Sequence, residues 1–242
     1  METRICEKHG QYEVKTVVVM GRPFSNICPE CEKEQSAREE AENKERLEKA
    51  KFQEMTARGI EPEFYDATLE QYKPENESER AAKQACEDLV DGKIKKLMLL
   101  GTNGTGKTLL ATALALQLNG IRTTMYELSA RIRSGYNNGE SELVVLNRLL
   151  SYNFICIDEV GRTKGSDAER NWLSYLIDKA HTRNIRLMII SNRQTARNLP
   201  ADRRGEAIEF FFDNDVISRL RQDARIVEVK GRDRRATVTV AV

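Results

Sequence analysis

The stretch that decides the fold runs from Lys96 to Thr108 and reads Lys-Leu-Met-Leu-Leu-Gly-Thr-Asn-Gly-Thr-Gly-Lys-Thr. Its apolar first part, 96–100, predicts a buried strand, and a helix is predicted over 107–118. The residues between them fit the pattern G-x-x-x-x-G-K-[ST], whose glycines let backbone N–H groups curl around phosphate oxygens. The N-terminus of the following helix adds partial positive charge. The stretch therefore predicts a phosphate-binding loop in an α/β fold.

Every residue of this loop is a candidate ATP contact. Lys107 is expected to reach the β- and γ-phosphates, and Thr108 is expected to hold Mg²⁺ through its hydroxyl. A chance glycine turn before a helix is the alternative, and the apolar strand in front of the loop argues against it. The full set of nucleotide candidates is Gly101, Thr102, Asn103, Gly104, Thr105, Gly106, Lys107 and Thr108.

Two acidic residues follow a second apolar strand, predicted over Phe154–Asp158. Carboxylates at the end of a buried strand are costly without a cationic partner, which a magnesium–nucleotide complex would supply. Asp158 is therefore expected to coordinate Mg²⁺, mostly through water. Glu159 is placed to orient and deprotonate the attacking water. An ordinary strand end with solvated acids is the alternative.

Two further polar positions complete the predicted catalytic set. The strand predicted over Leu187–Ile190 runs into Ser191-Asn192, and Asn192 is a candidate sensor of the γ-phosphate, although such a pair also opens ordinary turns. Arg219 lies near the end of a predicted helix, from which an arginine can complete the site of a neighbouring subunit. A solvated surface arginine is the alternative.

The rest of this region alternates helices with apolar strands. Such alternation predicts a mostly parallel sheet of five strands with helices on both faces. The remaining predicted elements are a strand over 123–127, a helix beginning with a capping box from Ser166 to Glu169, a strand over 225–229, and a possible hairpin that turns at Gly231 into 237–240.

The N-terminal residues predict a zinc-binding module over 1–32. Cys6 and His9 form C-x2-H, and Cys28 and Cys31 form C-x2-C after a gap of 18 residues. Two such pairs can place four ligands around Zn²⁺ in a closed, structural site. A segment of this length buries too little apolar surface to fold without a stabilising metal ion. Incidental thiols and a surface histidine are the alternative.

Composition sets the remaining expectations. Residues 33–58 are rich in Glu, Lys and Arg with opposite charges at i,i+4, which predicts a solvated helical linker or, alternatively, a partner-binding helix. Residues 59–242 then form the predicted ATPase domain. The net charge of +1 gives no whole-chain case for nucleic-acid binding, and no apolar run approaches the ~20 residues that cross a bilayer. With no signal pattern at the N-terminus, we expect a cytoplasmic protein.

With these motifs assembled, the chain resembles the DnaC/DnaI-type helicase loaders of the AAA+ class, especially phage-encoded DnaC-like replication proteins. The resemblance covers roughly 59–229, and residues 59–65 look like the segment before the ATPase core in that family. Its carrying segments are 101–111, Ile157-Asp158-Glu159-Val160-Gly161, Ile190-Ser191-Asn192 and Ser218-Arg219-Leu220. The chain departs from the family at Lys179-Ala180-His181, where loaders often have an arginine–aromatic pair.

The resemblance implies an AAA+ P-loop core and an ATPase of weak turnover in a bacterial cell or a phage-infected host. The N-terminal module and linker would bind a hexameric DnaB-type replicative helicase. The core would bind single-stranded DNA when ATP is present, with the helix that contains Ser129–Ser134 as a candidate contact. Arg219 would contact ATP on the next subunit of a homo-oligomer.

Two other functions remain open from the sequence. An IstB-type ATPase shares most core motifs and assists a transposase, although the zinc module argues modestly against it. A zinc-stabilised adaptor that binds ATP without significant turnover is the other, but a pure binder has no need of Glu159. A substrate-phosphorylating kinase is disfavoured because no acceptor pocket or lid is evident.

Overall fold

The computed structural model describes residues 2–19, 22–25, 27–162, 166–212, 214–222 and 224–234. The chain divides into two compact units, unit 1 over Met1–Glu54 and unit 2 over Met55–Val242. The hairpin strand predicted over 237–240 lies outside the described residues. No described helix combines the length and the apolar character needed to cross a membrane.

Unit 1 consists of two antiparallel strand pairs and most of a long helix. Strand β1 (Thr3–Cys6) pairs with β2 (Gly10–Glu13), and β3 (Thr16–Val19) pairs with β4 (Arg22–Ser25). Helix α1 (Pro29–Ala57) has no buried residue. It is supported by exposed ion pairs at i,i+4, such as Arg38–Glu42 at 2.8 Å and Glu45–Lys49 at 2.5 Å. Because α1 begins at Pro29, Cys31 lies in the first turn of this helix.

Unit 2 is an α/β domain of alternating elements. Its strands are β5 (Lys96–Leu100), β6 (Ile121–Thr124), β7 (Phe154–Asp158), β8 (Arg186–Ser191) and β9 (Ala224–Glu228). Its helices are α2 (Glu77–Val90), α3 (Lys107–Gln117), α4 (Met125–Asn137), α5 (Glu142–Leu149), α6 (Asp167–Thr182) and α7 (Asn214–Arg221). Short 3₁₀ turns span Pro62–Phe64, Leu69–Gln71, Ala196–Asn198, Ala201–Glu206 and Ile208–Phe211.

The strands of unit 2 form one sheet in the order β6-β7-β8-β5-β9, and every described pairing in it is parallel. Side chains alternate between the two faces of the sheet. Leu97 and Leu99 pack with α2 and α3, whereas Met98 and Leu100 pack with the cluster that contains α4 to α7. The predicted five-stranded parallel sheet flanked by helices is thus confirmed. Parallel strands covered on both faces place a ligand cleft at their carboxyl ends.

One predicted strand is wrong in its second half. The sequence favoured a strand over 123–127, but the structure ends β6 at Thr124 and begins α4 at Met125. Thr124 caps the helix: its Oγ1 accepts the N–H of Glu127 at 3.1 Å, and the Glu127 carboxylate accepts the N–H of Thr124 at 2.8 Å. This capping box is visible in the sequence, and it begins the helix directly after the two threonines, so the strand ends three residues earlier than predicted.

Candidate functional site

A cleft of about 790 Å³ opens at the carboxyl ends of β5, β7 and β8 in unit 2. This volume lies within the usual range of ligand pockets. Most of the predicted nucleotide and catalytic residues meet in it, together with residues that the sequence did not single out. Its lining comprises Glu61, Glu63, Phe64, Asn103, Gly104, Gly106, Lys107, Thr108, Leu109, Arg122, Asp158, Glu159, Arg162, Ile190, Asn192 and Arg234.

All three glycines of the loop between β5 and α3 have a left-handed backbone, and Gly106 and Gly101 illustrate why. Gly106 caps α3 with a left-handed backbone, φ 84°. Gly101 has φ 127°, and a Cβ there would lie 2.1 Å from the carbonyl oxygen of Val229. These conformations leave the first N–H groups of α3, which have no partner within a helix, facing the loop. The loop is therefore shaped as an anion cradle.

Lys107 is buried, with 6% of its surface exposed. Its ammonium donates hydrogen bonds to the carbonyl oxygens of Gly101 at 2.8 Å and Thr102 at 2.6 Å. The charge is thereby kept inside the loop, beside the half-buried Thr108. A phosphate in the cradle would meet a positioned cation rather than a mobile surface lysine.

The two acidic residues at the end of β7, Asp158 and Glu159, differ in their surroundings. Asp158 is buried, 4% exposed, and its Oδ1 accepts the N–H of Glu159 at 2.7 Å. Glu159 has a left-handed backbone, φ 57°, which is uncommon for a residue with a side chain. Its carboxylate accepts a hydrogen bond from Arg162 at 2.7 Å. A strained residue beside a buried acid is the kind of backbone outlier found at functional sites.

A buried arginine beside Asp158 was missed by the sequence analysis. The Nε and Nη2 atoms of Arg122 donate to Asp158 Oδ2 at 3.3 and 3.2 Å, and Nη1 donates to both carboxylate oxygens of Glu61. Burial disfavours the charged guanidinium, but these carboxylates outweigh it and hold the pKa of Arg122 above its usual value. The available signal was an arginine between Ile121 and Thr123 in a short β-rich segment, since a charge at a buried strand position needs a partner.

Of the two remaining predicted catalytic residues, Asn192 lines the cleft and Arg219 does not. Asn192 is exposed at the end of β8 and lines the cleft. Arg219 lies on α7, is half-exposed and pairs with Asp178 of α6. It is not among the described residues that line the cleft of its own chain.

Arg234 is a second residue that the sequence analysis missed. Its N–H donates to the carbonyl of Gly104 at 3.0 Å, and its guanidinium lies 4.8 Å from the ring centre of Tyr72. The same guanidinium pairs with the buried Glu79 at 2.5 Å. Tyr72 in turn donates its hydroxyl to the carbonyl of Thr105 at 3.1 Å. The segment after β9 therefore supports the phosphate loop directly.

The four predicted metal ligands of unit 1 form one cluster. The ligand atoms of Cys6, His9, Cys28 and Cys31 all lie within 4.8 Å of one another. His9 Nδ1 is 3.8, 3.7 and 3.3 Å from the Sγ atoms of Cys6, Cys28 and Cys31. Ligands of a tetrahedral zinc ion, with bonds of about 2.0–2.3 Å, are separated by roughly 3.6 Å. The three thiols and one imidazole of the cluster are therefore spaced to bind one small metal ion such as Zn²⁺.

The surroundings of the cluster suit a metal as well. The other ring nitrogen of His9, Nε2, lies 3.2 Å from Glu34 Oε1, which would fix the ring orientation. Backbone N–H groups of Lys8 and His9 lower the pKa of Cys6 to about 6, whereas the neighbouring Cys6 raises the pKa of Cys31 to about 11, so one proton is shared between these two thiols. Cys86 and Cys156 are fully buried in the core of unit 2, far along the chain from this set.

Comparison with known proteins places this architecture in a family. The family described as IstB-like ATP binding protein matches residues 30–239. The chain belongs to this ATP-binding family. The match includes the whole of the cleft described above.

Relatives of this IstB-like chain include characterised proteins. It is 32% identical over 130 residues to "Replicative helicase loader DnaC" of Escherichia coli strain K12, a match that covers 50% of this chain and 53% of DnaC. The chain thus spans about half the length of the curated relatives it matches. The predicted resemblance to DnaC-type loaders is confirmed.

Two solved structures share the fold of this family member. The "Crystal structure of the DnaC helicase loader" matches with a TM-score of 0.59 and 22% identity, covering 70% of this chain and 100% of that one. The "Crystal Structure of the DnaI" matches with a TM-score of 0.53 and 20% identity, covering 72% and 94%. At such identities the likeness is one of fold.

Proposed function

We propose that this protein is an ATP-dependent loader that delivers a hexameric DnaB-type replicative helicase onto single-stranded DNA in the cytoplasm of a bacterial cell or a phage-infected host. The observation that supports this most is the cleft, in which a loop lysine, a buried acid and a strained glutamate converge on one side of the sheet. The sequence similarity to DnaC adds the helicase as the partner class.

In this proposal ATP binds along the loop from Gly101 to Thr108, with its terminal phosphates on Lys107 and the first N–H groups of α3. Thr108 and Asp158 would hold Mg²⁺, since hydroxyl and carboxylate oxygens are its preferred protein ligands. When bound, the ion neutralises charge on the β- and γ-phosphates. These oxygen donors fit the ion, and Asp158 is already fixed by the Glu159 N–H.

Glu159 would act as the general base for water, after exchanging its present partner Arg162 for that water. Asn192 would contact the γ-phosphate from the end of β8. Arg219 would reach the nucleotide of the next subunit, because it lies outside the cleft of its own chain and half-exposed on α7. The active form is therefore a homo-oligomer whose turnover per subunit, though weak, rises with protein concentration.

The zinc cluster gives unit 1 a structural role in this proposal. Four protein ligands leave no open position, so Zn²⁺ would stabilise the fold of unit 1 rather than take part in chemistry. The zinc module, taken as 1–32, and the solvated helix over 33–58 would form the helicase-binding part, and 59–242 the ATPase domain. The exposed face of α1, with no buried residue, is available to a partner.

The proposed DNA contact lies on α4, where exposed Tyr126 and Arg133 are seven residues apart and share a face. The guanidinium of Arg131 donates to the carbonyl of Ala57 at 3.2 Å, so Arg133 is the more accessible of the two arginines. A base can stack on Tyr126 while Arg133 meets the backbone.

Tyr126→Ala is expected to weaken single-stranded DNA binding by roughly 5- to 100-fold, the usual loss of one stacked base. Arg133→Ala is expected to reduce the slope of log affinity against log salt by about 0.7. Both are measured by fluorescence anisotropy with an oligonucleotide in the presence of ATP. Tyr136→Ala is the matched control, because this exposed tyrosine lies on another face of α4 and bonds Glu142. Equal losses in Tyr126→Ala and Tyr136→Ala would exclude the assigned face.

The experiment that tests the partner is co-elution of the purified protein with the replicative helicase of its host, with ATP present. A stable complex supports the loader function. An IstB-type helper of a transposase is the second candidate, favoured by the family description that matches the chain. A complex with a transposase and none with the helicase would favour that function instead.

A further inference from the structure

One guanidinium joins the candidate magnesium site to the chain segment that follows α1. Arg122 is almost fully buried, with 8% of its side chain exposed, and lies between two carboxylates. On one side it contacts Asp158, whose side chain is 6% exposed. On the other, its Nη1 lies 3.1 and 3.0 Å from the two carboxylate oxygens of Glu61, which is half-exposed. The guanidinium of Arg122 thus pairs with the buried Asp158 and the half-exposed Glu61 at the same time.

Backbone contacts fix the same segment, which we call the leader (58–61), against β6. The N–H of Arg122 donates to the carbonyl of Arg58 at 2.9 Å, and Nη1 lies 3.3 Å from the carbonyl of Gly59. Gly59 has φ +68°, and a Cβ there would lie 1.9 Å from the Arg122 carbonyl oxygen. The side chain of Arg58 donates to the carbonyl of Gly120 at 2.8 Å. The leader is therefore built closely around Arg122.

Electrostatics make the two ends of this contact interdependent. Asp158 presents a single negative charge, which Arg122 and a divalent ion at the cleft would share. A second cation on Asp158 weakens its hold on the guanidinium, and the remaining strong acceptor of Arg122 is Glu61. Linkage makes the effect reciprocal: a tighter Arg122–Glu61 pair favours the ion at Asp158 to the same extent.

We propose that Arg122 is a positioning residue that couples Mg²⁺ binding at Asp158 to the strength of the Arg122–Glu61 ion pair, which holds the leader against β6. The proposal rests on the nucleotide site proposed above. The leader directly follows α1 in the chain. The nucleotide state of the cleft therefore changes how tightly β6 holds the segment that leads to the predicted helicase-binding part. The positive charge of Arg122 and its forked geometry are both required, since a lysine cannot bond two carboxylates in this way.

The test measures how much Mg²⁺ is needed for tight binding of a fluorescent ATP analogue. Glu61→Gln removes the alternative partner of Arg122, so the Mg²⁺ midpoint is expected to rise roughly fivefold, the size of one partly exposed ion pair. Binding of the analogue in EDTA is expected to stay unchanged. Glu63→Gln is the matched control: it also removes an acidic charge from the cleft lining but not a partner of Arg122 among the described residues. Its midpoint is expected to stay within twofold of wild type.

A second measurement distinguishes coupling through Arg122 from the general effect of removing a negative charge near the Mg²⁺ site. Hydrogen exchange at the Arg122 amide, which bonds the Arg58 carbonyl, is expected to slow when Mg²⁺ is added to ATP-bound wild type and to respond less in Glu61→Gln. In an Arg122→Lys background, Glu61→Gln is expected to have no further effect on the midpoint, because the shared fork is already lost. Equal midpoints in wild type, Glu61→Gln and Glu63→Gln would overturn the coupling while leaving ATP binding intact. Failure of wild type to bind ATP would instead overturn the nucleotide site.

Discussion

Lys107→Ala is expected to reduce the affinity for ATP by at least about 100-fold. The ammonium lies buried in the loop and is held by two carbonyls at 2.8 and 2.6 Å, so it is positioned before any phosphate arrives. Each lost charge-assisted hydrogen bond contributes about 1.5–3 kcal/mol, and the lysine offers more than one to the phosphates. Titration with a fluorescent ATP analogue in Mg²⁺ measures the loss directly.

Two variants make this result specific. Lys93→Ala removes an exposed lysine before β5 that pairs with Asp88 and Asp91, and it is expected to bind ATP normally. Glu159→Gln is expected to retain ATP binding and to lose turnover by about 10²–10⁴-fold, the usual contribution of a general base. A Lys107→Ala protein that still binds ATP within threefold of wild type would exclude the loop as the nucleotide site.

The second large effect concerns the metal cluster. The purified full chain is expected to contain one equivalent of zinc, and Cys28→Ser is expected to lose it. Structural zinc sites contribute roughly 10–16 kcal/mol of apparent binding free energy, which becomes folding free energy in a small unit. Unit 1 would then unfold without metal, because its strands are short and its helix α1 has no buried residue. Zinc analysis and limited proteolysis of residues 1–54 measure both effects.

Cys86→Ala is the control for loss of a thiol. This cysteine is fully buried on α2 in unit 2, so its removal affects core packing but leaves the metal ligands intact. It is expected to retain one equivalent of zinc, and Cys28→Ser is expected to retain the melting temperature of the ATPase domain. Wild-type protein that holds no zinc, or a Cys28→Ser protein with unchanged zinc content and protease resistance, would contradict the assignment.

The parts of the structure that the sequence predicted are those set by local pattern. The apolar run before Gly101 and the glycine spacing after it specify β5, the loop and the start of α3 within one short segment. The same holds for β7, whose apolar residues end in Asp158. The spacing of two ligand pairs predicted the cluster around His9 because each pair is brought together locally, the first by a tight turn and the second by the first turn of α1.

The residues that were missed join segments far apart in the chain. Arg122 lies 61 residues from Glu61 and 36 from Asp158, so no local pattern pairs them. Arg234 reaches Glu79 across 155 residues, and the hairpin predicted for that region gave it no role in the loop. These contacts depend on the order of strands in the sheet, which periodicity does not determine. The proposed role of Arg219 involves a second subunit, so the contacts of a single chain do not test it.

ATP-dependent helicase loading is tested most directly by transfer of the host replicative helicase onto closed circular single-stranded DNA. Wild-type protein with ATP is expected to increase the helicase retained on the circle at least tenfold over helicase alone, with Lys107→Ala giving no increase. The same amount of helicase on the circle with wild type, with Lys107→Ala and with no added protein would contradict the loader function and leave the ATP-binding family assignment in place.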